Sequence, residues 1–193
     1  MPVADSRPHA LLVRHGSTTW SQSGQHTGRT DIPLDTAGEA QARALGERLA
    51  GRSFSLALSS PLKRAEQTAA LARLAAVVLD PDLMEWDYGE FDGRTTDEIR
   101  QEYPGWTIWD GPWPTGETIY DVAARADRVV ARVRAEPLGS TVVLVAHGHL
   151  LRVLAARWLG VPPDTGRFFV LRTGTVSELG WEHETATIDQ WNA

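Results

Sequence analysis

The sequence predicts an α/β fold in which a central, mostly parallel sheet lies between layers of helices. Short apolar runs, typical of buried strands, alternate with longer segments that carry helix signals. Two of these runs, LLVRHG and VLVAHG, end in a histidine-glycine pair. Because 42% of the 193 residues are hydrophobic, the chain can form one substantial core, and residues 1–193 are predicted to form a single domain.

Four apolar runs are predicted to form buried strands of the parallel sheet. Each run ends in a polar turn, and they comprise residues 10–13, 56–59, 76–79 and 141–146. The segment 168–191 is expected to add short strands joined by tight turns.

The first two predicted helices fill the intervals between these strands. Thr36 and Glu39 have the spacing of a capping box, which predicts a helix over about residues 36–50. A serine-proline pair begins a second helix, over about residues 60–74. Strand and helix therefore alternate, as in doubly wound proteins.

Two further helices are predicted in the second half of the chain. Residues 117–136 place apolar side chains at three-four spacing, and Pro137 and Gly139 end this helix. Residues 149–159 form another, which ends at Gly160. Ligands of such folds bind at the carboxyl ends of the strands.

Composition excludes several classes of function. The chain has no cysteine, which excludes disulfides, thiolate nucleophiles and cysteine-ligated metals. A net charge of −6 argues against nucleic acid or an acidic membrane as the main partner. No apolar run approaches the roughly 18 residues of a membrane span, and the first residues lack the layout of a secretion signal, so a cytoplasmic location is expected.

The two histidine-glycine pairs are the strongest candidates for a functional site. His15 follows the first strand and His147 follows the strand over residues 141–146, so both imidazoles are expected at the same edge of the sheet. Gly16 and Gly148 remove a side chain where the backbone turns and where a ligand could approach exposed amides. Together they predict an anion-binding cradle.

Longer motifs surround these pairs in a characteristic order. In that order and spacing, the chain resembles the histidine phosphatase superfamily, also called the phosphoglycerate mutase-like family, from residue 10 to about residue 181. It is most similar to short bacterial acid phosphatases and to sugar-bisphosphatase-like members. The motifs are GQHTGRTDIPLDTAGEAQA, SSPLKRAEQTA, LMEWDYGEFDG, PTGETIYD and VAHGHLLRVL.

The resemblance implies a phosphatase that acts on a small phosphorylated metabolite without a metal or cofactor. His15 matches the nucleophile that forms a phosphohistidine. Arg14 and Arg64 match the two phosphate-binding arginines, and His147 matches the second histidine of the pocket. Glu85 occupies the position of the proton donor, which protonates the leaving alkoxide.

The resemblance also implies residues that touch the substrate. Thr18, Thr27 and Gly28 align with positions that contact phosphate through a hydroxyl or an amide. Gly148 belongs to the same cradle. Ser21 stands where mutases usually have asparagine, and we expect it to lie near the substrate.

Several residues have an alternative interpretation. His147 and His149 could form a metal-binding pair, but no carboxylate ligands follow at fitting spacing and Arg14 would repel a cation. Arg29 and Arg94 could reach the far end of a substrate or could be solvated surface residues. The segment 104–116, rich in proline, glycine and tryptophan, could be a lid, a pocket wall or core packing.

Two other functions compete with the phosphatase. A phosphoglycerate mutase would use the same histidine, although mutases that resemble this chain generally carry extra segments around the pocket. A non-catalytic protein that binds a phosphorylated ligand is the other alternative. The sequence leaves open the substrate, the pH optimum and whether the protein is a homodimer.

Overall fold

The computed structural model describes residues 7–193 and contains one six-stranded sheet. The strands are β1 (His9–Arg14), β2 (Leu56–Ser59), β3 (Val77–Leu79), β4 (Thr141–Ala146), β5 (Val176–Glu182) and β6 (Thr185–Gln190). Their order is β3-β2-β4-β1-β5-β6. The first four are parallel to one another, whereas β5 is antiparallel to β1 and to β6. The predicted α/β fold with a mostly parallel sheet is confirmed.

Six α-helices connect or flank these strands in the described part of the chain. They are α1 (Thr19–Ser23), α2 (Thr36–Leu49), α3 (Lys63–Leu71), α4 (Thr96–Glu102), α5 (Ile119–Arg134) and α6 (Gly148–Trp158). Short 3-10 helices lie at Pro81–Leu83, Gly89–Phe91 and Pro163–Phe168. None of the helices within residues 7–193 combines the length and apolar character that crossing a membrane requires.

The sheet has a hydrophobic cluster on each face, because side chains alternate along a buried strand. Leu11 and Val13 of β1 pack with apolar residues of α2 and α3. Leu12 belongs to the larger cluster on the opposite face, which contains the apolar stripes of α5 and α6. The result is the predicted arrangement of a sheet between two helical layers.

Helix ends differ from the sequence prediction by a few residues. The N-cap of α2 is Asp35, whose carboxylate accepts a hydrogen bond from the Gly38 amide, and Thr36 is the first helical residue. Aspartate is the stronger cap, which explains the shift. Helix α3 is shorter at both ends than predicted, and Arg73 beyond its end has a φ of 58° that no α-helix accommodates.

Two short helices, α1 and α4, are not apparent from apolar periodicity. Each begins with a capping box, formed by Thr18 and Ser21 in α1 and by Thr95 and Glu98 in α4. Local side-chain hydrogen bonds rather than an apolar stripe therefore define both helices.

Gly16, in the turn after β1, packs against Gly38 in the first turn of α2. A Cβ atom on Gly16 would lie 2.3 Å from the Gly38 carbonyl oxygen, and one on Gly38 would lie 2.0 Å from the Ser17 carbonyl oxygen. Both distances are far shorter than any van der Waals contact, so the two backbones approach this closely only because both residues are glycine. This contact fixes the turn that carries His15 against α2.

We expect the substitution Gly38→Ala to lower the free energy of unfolding by about 1 to 3 kcal/mol, because the added methyl group overlaps a backbone oxygen. Urea denaturation measures the change. Ala40→Gln, on the exposed side of the same helix, serves as the control and should stay within about 0.5 kcal/mol of the parent protein. A Gly38→Ala protein as stable as the parent would show that the turn is free to move.

Candidate active site

The parallel pairing of β1 with β4 brings the two histidine-glycine pairs together. Arg14 is paired with Ala146 in the sheet, and the His15 amide donates a hydrogen bond of 3.0 Å to the Ala146 carbonyl. The imidazole rings of His15 and His147 follow directly, with centroids 5.1 Å apart. Both histidines lie at the carboxyl edge of the sheet, as the sequence predicts.

His15 lines a cavity of about 190 Å³ and is only 4% exposed. Its Nδ1 lies 2.7 Å from the Gly16 carbonyl oxygen, which can only accept, so Nδ1 carries the proton. The lone pair therefore resides on Nε2. Burial, followed by the charges of Arg64 and Arg14, lowers the pKa of His15 well below 6.5, and the ring is neutral at neutral pH.

Arg64 is fully buried beneath the two histidines. Its Nη1 donates to the Thr30 carbonyl at 3.0 Å, and its Nη2 donates to the carbonyls of Thr27 and Gly28 at 3.1 and 2.8 Å. Its Nε donates to Nδ1 of His147 at 3.1 Å. These bonds orient a buried positive charge at the inner end of the site without a carboxylate partner among the described residues.

His147 is held in one tautomer by its neighbours. Because its Nδ1 accepts from Arg64, its proton is on Nε2, which lies 2.7 Å from the Ser60 hydroxyl oxygen. Burial, then the charge of Arg64, lowers the pKa of His147 well below 6.5. His147 is thus a neutral ring with an N–H donor, whereas His15 is a neutral ring with a free lone pair.

Arg14 brings a second guanidinium to the cavity. Its Nη1 donates to the Leu171 carbonyl, while its buried Nε has no hydrogen-bond partner among the described residues. A Cβ atom on Gly148 would lie 3.1 Å from the Arg14 Cζ, so glycine at this position makes room for the guanidinium. A buried donor without a partner beside a cavity is suited to bind an anion.

Glu85 closes the amino-terminal end of α6. Its Oε2 accepts from the His149 amide at 3.0 Å, and its Oε1 accepts from the amides of Leu150 and Trp86, both at 2.9 Å. The N-cap residue itself, His147, forms no side-chain cap. Glu85 therefore satisfies helix amides from a distant loop, and its carboxylate lines the same cavity as His15.

A buried ion pair holds the loop that carries Glu85. Arg125 donates to both oxygens of Glu117 at 2.7 and 2.8 Å, and its Nη1 donates to the carbonyls of Asp82 and Met84 at 2.7 and 2.9 Å. The Trp86 indole donates to the Glu117 carbonyl at 2.7 Å. The pair thus joins the start of α5 to the loop on both sides of Glu85.

The Glu117 carboxylate stays ionised in this setting. Burial acts to raise its pKa, but the hydrogen bonds and charge of Arg125, with the Asp87 amide and Arg29, together lower it below the ordinary value. Charge balance inside the protein therefore depends on Arg125.

The structure separates the predicted substrate-contacting residues into two groups. Ser21, Thr27 and Gly148 line the cavity, whereas Thr18 and Gly28 do not. The Thr18 hydroxyl is used in the capping box of α1, where it accepts from the Ser21 amide. The Gly28 amide already donates to the Asp92 carboxylate at 2.8 Å.

His149, Arg29 and Arg94 each contact neighbouring protein groups. His149 Nδ1 lies 2.6 Å from the Tyr88 hydroxyl. Residues 7–193 contain no group of three or more histidine, aspartate or glutamate side chains placed to hold a metal ion. Arg94 pairs with Glu102 on the surface, and Arg29 pairs with the Glu117 carboxylate, so neither arginine faces the cavity.

The tryptophan-rich segment 104–116 packs as a wall rather than standing away as a lid. Trp106 is 2% exposed, and its indole donates to the Pro112 carbonyl at 2.9 Å. Trp113 lies against Trp86 with ring centroids 6.1 Å apart. The segment therefore supports the loop that carries Glu85.

Sequence reasoning missed four residues that shape the site: His26, Tyr88, Arg125 and Arg152. Two of them had a detectable signal. Arg125 falls on the apolar face of α5, where an arginine needs a buried partner. Arg152 is four residues after Gly148, on the same face of α6. His26 and Tyr88 line the cavity from loops, and no periodicity identifies them.

Residues 10–193 match the family described as Histidine phosphatase superfamily (branch 1). An acid phosphatase of Mycobacterium tuberculosis is 37% identical over 175 residues, covering 90% of this chain and 86% of that protein. A sedoheptulose 1,7-bisphosphatase of Saccharomyces cerevisiae is 36% identical over 186 residues, covering 80% and 68%. A solved structure of a Mycobacterium tuberculosis open reading frame superposes with a TM-score of 0.92 at 35% identity, over 96% of this chain and 97% of that one.

We expect Arg125→Met to lower the free energy of unfolding by about 3 kcal/mol, because it leaves the mostly buried Glu117 carboxylate with only the longer pair to Arg29 at 3.4 Å. Adding Glu117→Gln to this variant should recover part of the loss, since no unpaired charge remains. Urea denaturation measures both changes. The control Arg43→Met breaks the exposed pair with Glu39 and should cost about 1 kcal/mol or less. Equal losses in Arg125→Met and Arg43→Met would contradict a special role for the Arg125 pair.

Proposed function

The chain belongs to the histidine phosphatase superfamily, and from this premise we propose that it hydrolyses a small phosphomonoester through a covalent phosphohistidine on His15. The observation that carries the proposal is the state of His15. A neutral ring, with its proton held on Nδ1 by Gly16, offers a free Nε2 lone pair beside the cavity that Arg14 also lines. The nucleophile and an anion-binding group therefore line the same cavity.

In the first proposed step, Nε2 of His15 attacks phosphorus as the bond between phosphorus and the ester oxygen breaks. Negative charge spreads over the three other phosphoryl oxygens. Arg14 supplies an N–H that has no protein partner among the described residues, and Arg64 supplies a fixed positive charge behind the ring. His147, whose Nε2 proton faces the Ser60 hydroxyl, lies beside the His15 ring. Donors fixed in advance stabilise this charge without reorganising.

Glu85 is the proposed proton donor to the departing alkoxide. Its carboxyl group lines the cavity with His15, and Oε2 accepts only one backbone hydrogen bond, whereas Oε1 accepts two. Oε2 therefore has a lone pair free to carry the proton. In the second step the Glu85 carboxylate takes a proton from water, whose oxygen attacks phosphorus as the bond to His15 Nε2 breaks.

The proposed chemistry needs only groups from one chain, so it does not require the homodimer that the sequence leaves open. A cytoplasmic location also stays a prediction. The mutase alternative uses the same first step but returns the phosphoryl group to an organic acceptor instead of water. Measuring phosphate release and isomerisation of 3-phosphoglycerate in parallel distinguishes the two activities.

We expect substrate labelled with ³²P to leave one label per chain when turnover is quenched in base, since phosphohistidine is stable there but is lost in acid. His15→Ala should abolish both labelling and phosphate release, because it removes the lone pair that attacks phosphorus. His9→Gln, at the start of the same strand, is the control and should label normally. Persistence of turnover in His15→Ala would point to another nucleophile.

The same assay tests whether a metal takes part. We expect phosphate release to continue at an unchanged rate after dialysis against a chelator, because the proposed steps use protein groups alone. Loss of activity that returns on adding a divalent cation would overturn the metal-independent mechanism.

The lowered pKa of His15 predicts how activity depends on pH. Protonation of Nε2 would remove the nucleophile, and because the pKa lies well below 6.5, the ring stays neutral as the pH falls through 6.5. We expect kcat/KM, corrected for ionisation of the substrate, to be maintained through this pH. Titration of the His15 ring by NMR in the intact protein is the direct check. A ring that titrates at 6.5 would contradict the neutral-nucleophile assignment.

A further inference from the structure

Arg152 lies at the cavity beside His15 but has no part in the steps described above. It is four residues after Gly148 on α6, and both residues line the cavity. Residues four apart occupy the same helix face, about 5.4 Å apart along the axis. Gly148 contacts the Arg14 guanidinium, so Arg152 stands one helical turn beyond the proposed phosphate-binding position.

Two backbone carbonyls and a tryptophan ring fix the orientation of the Arg152 guanidinium. Its Nε donates to the Gly166 carbonyl at 3.0 Å and its Nη2 donates to the Arg167 carbonyl at 2.9 Å. Its Cζ lies 4.6 Å from the centre of the Trp109 ring. These contacts leave Nη1 without a hydrogen-bond partner among the described residues. A guanidinium held in this way loses little conformational entropy when it binds an anion.

Arg152 is not held by a carboxylate in an ion pair. Within residues 7–193 it forms no ion pair, whereas Arg157 on the same helix pairs with Asp127 at 2.7 Å. Burial, followed by the charge of Arg14, lowers the pKa of Arg152 to about 10, so it remains protonated at neutral pH. Two positive charges, those of Arg14 and Arg152, therefore face one cavity.

The size of the cavity limits what can reach both arginines. Its volume of about 190 Å³ is below the range of about 300 to 1,000 Å³ that is typical of pockets for drug-sized ligands. A phosphate and a chain of about three carbons are suited to this space. Leu171 is the one large aliphatic side chain in the lining, and Glu85, which accepts amides of α6, is the single carboxylate there.

Resting on the proposed phosphatase function, we propose that Arg152 binds a second anionic group, a carboxylate or a phosphate, on the same small substrate whose phosphoester is cleaved at His15. The substrate class is then a phosphomonoester of about three carbons with two anionic ends. Arg152 is in this view a specificity-determining residue, and Nη1 is the donor that recognises the second group.

The test compares esters that differ only in the second group. Glycerol 3-phosphate has a neutral hydroxymethyl end, 3-phosphoglycerate has a carboxylate there, and glycerol 1,3-bisphosphate has a phosphate. We expect kcat/KM of the parent protein to be about 10-fold or more higher for at least one doubly anionic ester, as for a hydrogen bond between charged groups. Which of the two is preferred identifies the second group.

Arg152→Gln should remove this preference. Its kcat/KM for the preferred doubly anionic ester should fall about 10-fold or more, while the value for glycerol 3-phosphate changes little. Arg152→Lys should retain part of the preference, because it keeps the charge but loses the planar fork. Arg157→Gln is the matched control on the same helix, and it should leave the ratio between esters unchanged.

Two results would overturn the inference. One is a parent protein without preference for either doubly anionic ester. The other is an equal loss for all esters in Arg152→Gln, which would assign Arg152 a purely structural role in holding Gly166 and Trp109. Hydrolysis of p-nitrophenyl phosphate separates these results from failure of the proposed function, since a protein that cleaves none of the esters, this one included, is not a phosphomonoesterase.

Discussion

The whole site depends on the pairing of β1 with β4 as neighbouring parallel strands. Each strand ends in a histidine-glycine pair, and parallel register places both pairs at the same edge, with imidazole centroids 5.1 Å apart. Antiparallel pairing would send the two histidines to opposite ends of the sheet. The turn after β1 is also held in a single position, because Gly16 packs directly on α2. Backbone hydrogen bonds, rather than contacts between side chains, therefore set the distance between His15 and His147.

Charge is distributed very unevenly in this molecule. The chain has a formal net charge of −6, yet Arg14 and Arg152 line one small cavity, and the buried charge of Arg64 acts on His15 beside them. The same arginines, together with burial, keep the nearby histidines neutral. In the proposed mechanism, the local positive field attracts a phosphate dianion and also preserves the lone pair that attacks phosphorus.

Site residues could be predicted from the sequence where their location follows from the end of a strand. They were harder to predict where their location depends on how helices and loops pack. His15 and His147 were predictable because each directly follows an apolar run, and the order of motifs identified Arg64 and Glu85. Arg152 was missed because its role depends on which face of α6 meets the cavity. Thr18 and Gly28 were placed beside the substrate, but local hydrogen bonds to Ser21 and Asp92 use the groups concerned. The spacing of residues along the sequence does not predict which neighbouring donors and acceptors will form hydrogen bonds with one another.

Glu85 illustrates how a reacting group can also be part of the scaffold. Its carboxylate ends α6 by accepting the amides of His149 and Leu150, so truncating this side chain exposes two helix amides as well as removing an acid. A loss of rate on such truncation would combine a chemical deficit with a displaced helix end that carries Gly148 and Arg152. Glutamine keeps one acceptor oxygen only, so even this substitution places an NH₂ group against a backbone amide that Glu85 accepts. In the proposed mechanism, the end of α6 and the acid-base chemistry therefore depend on the same side chain.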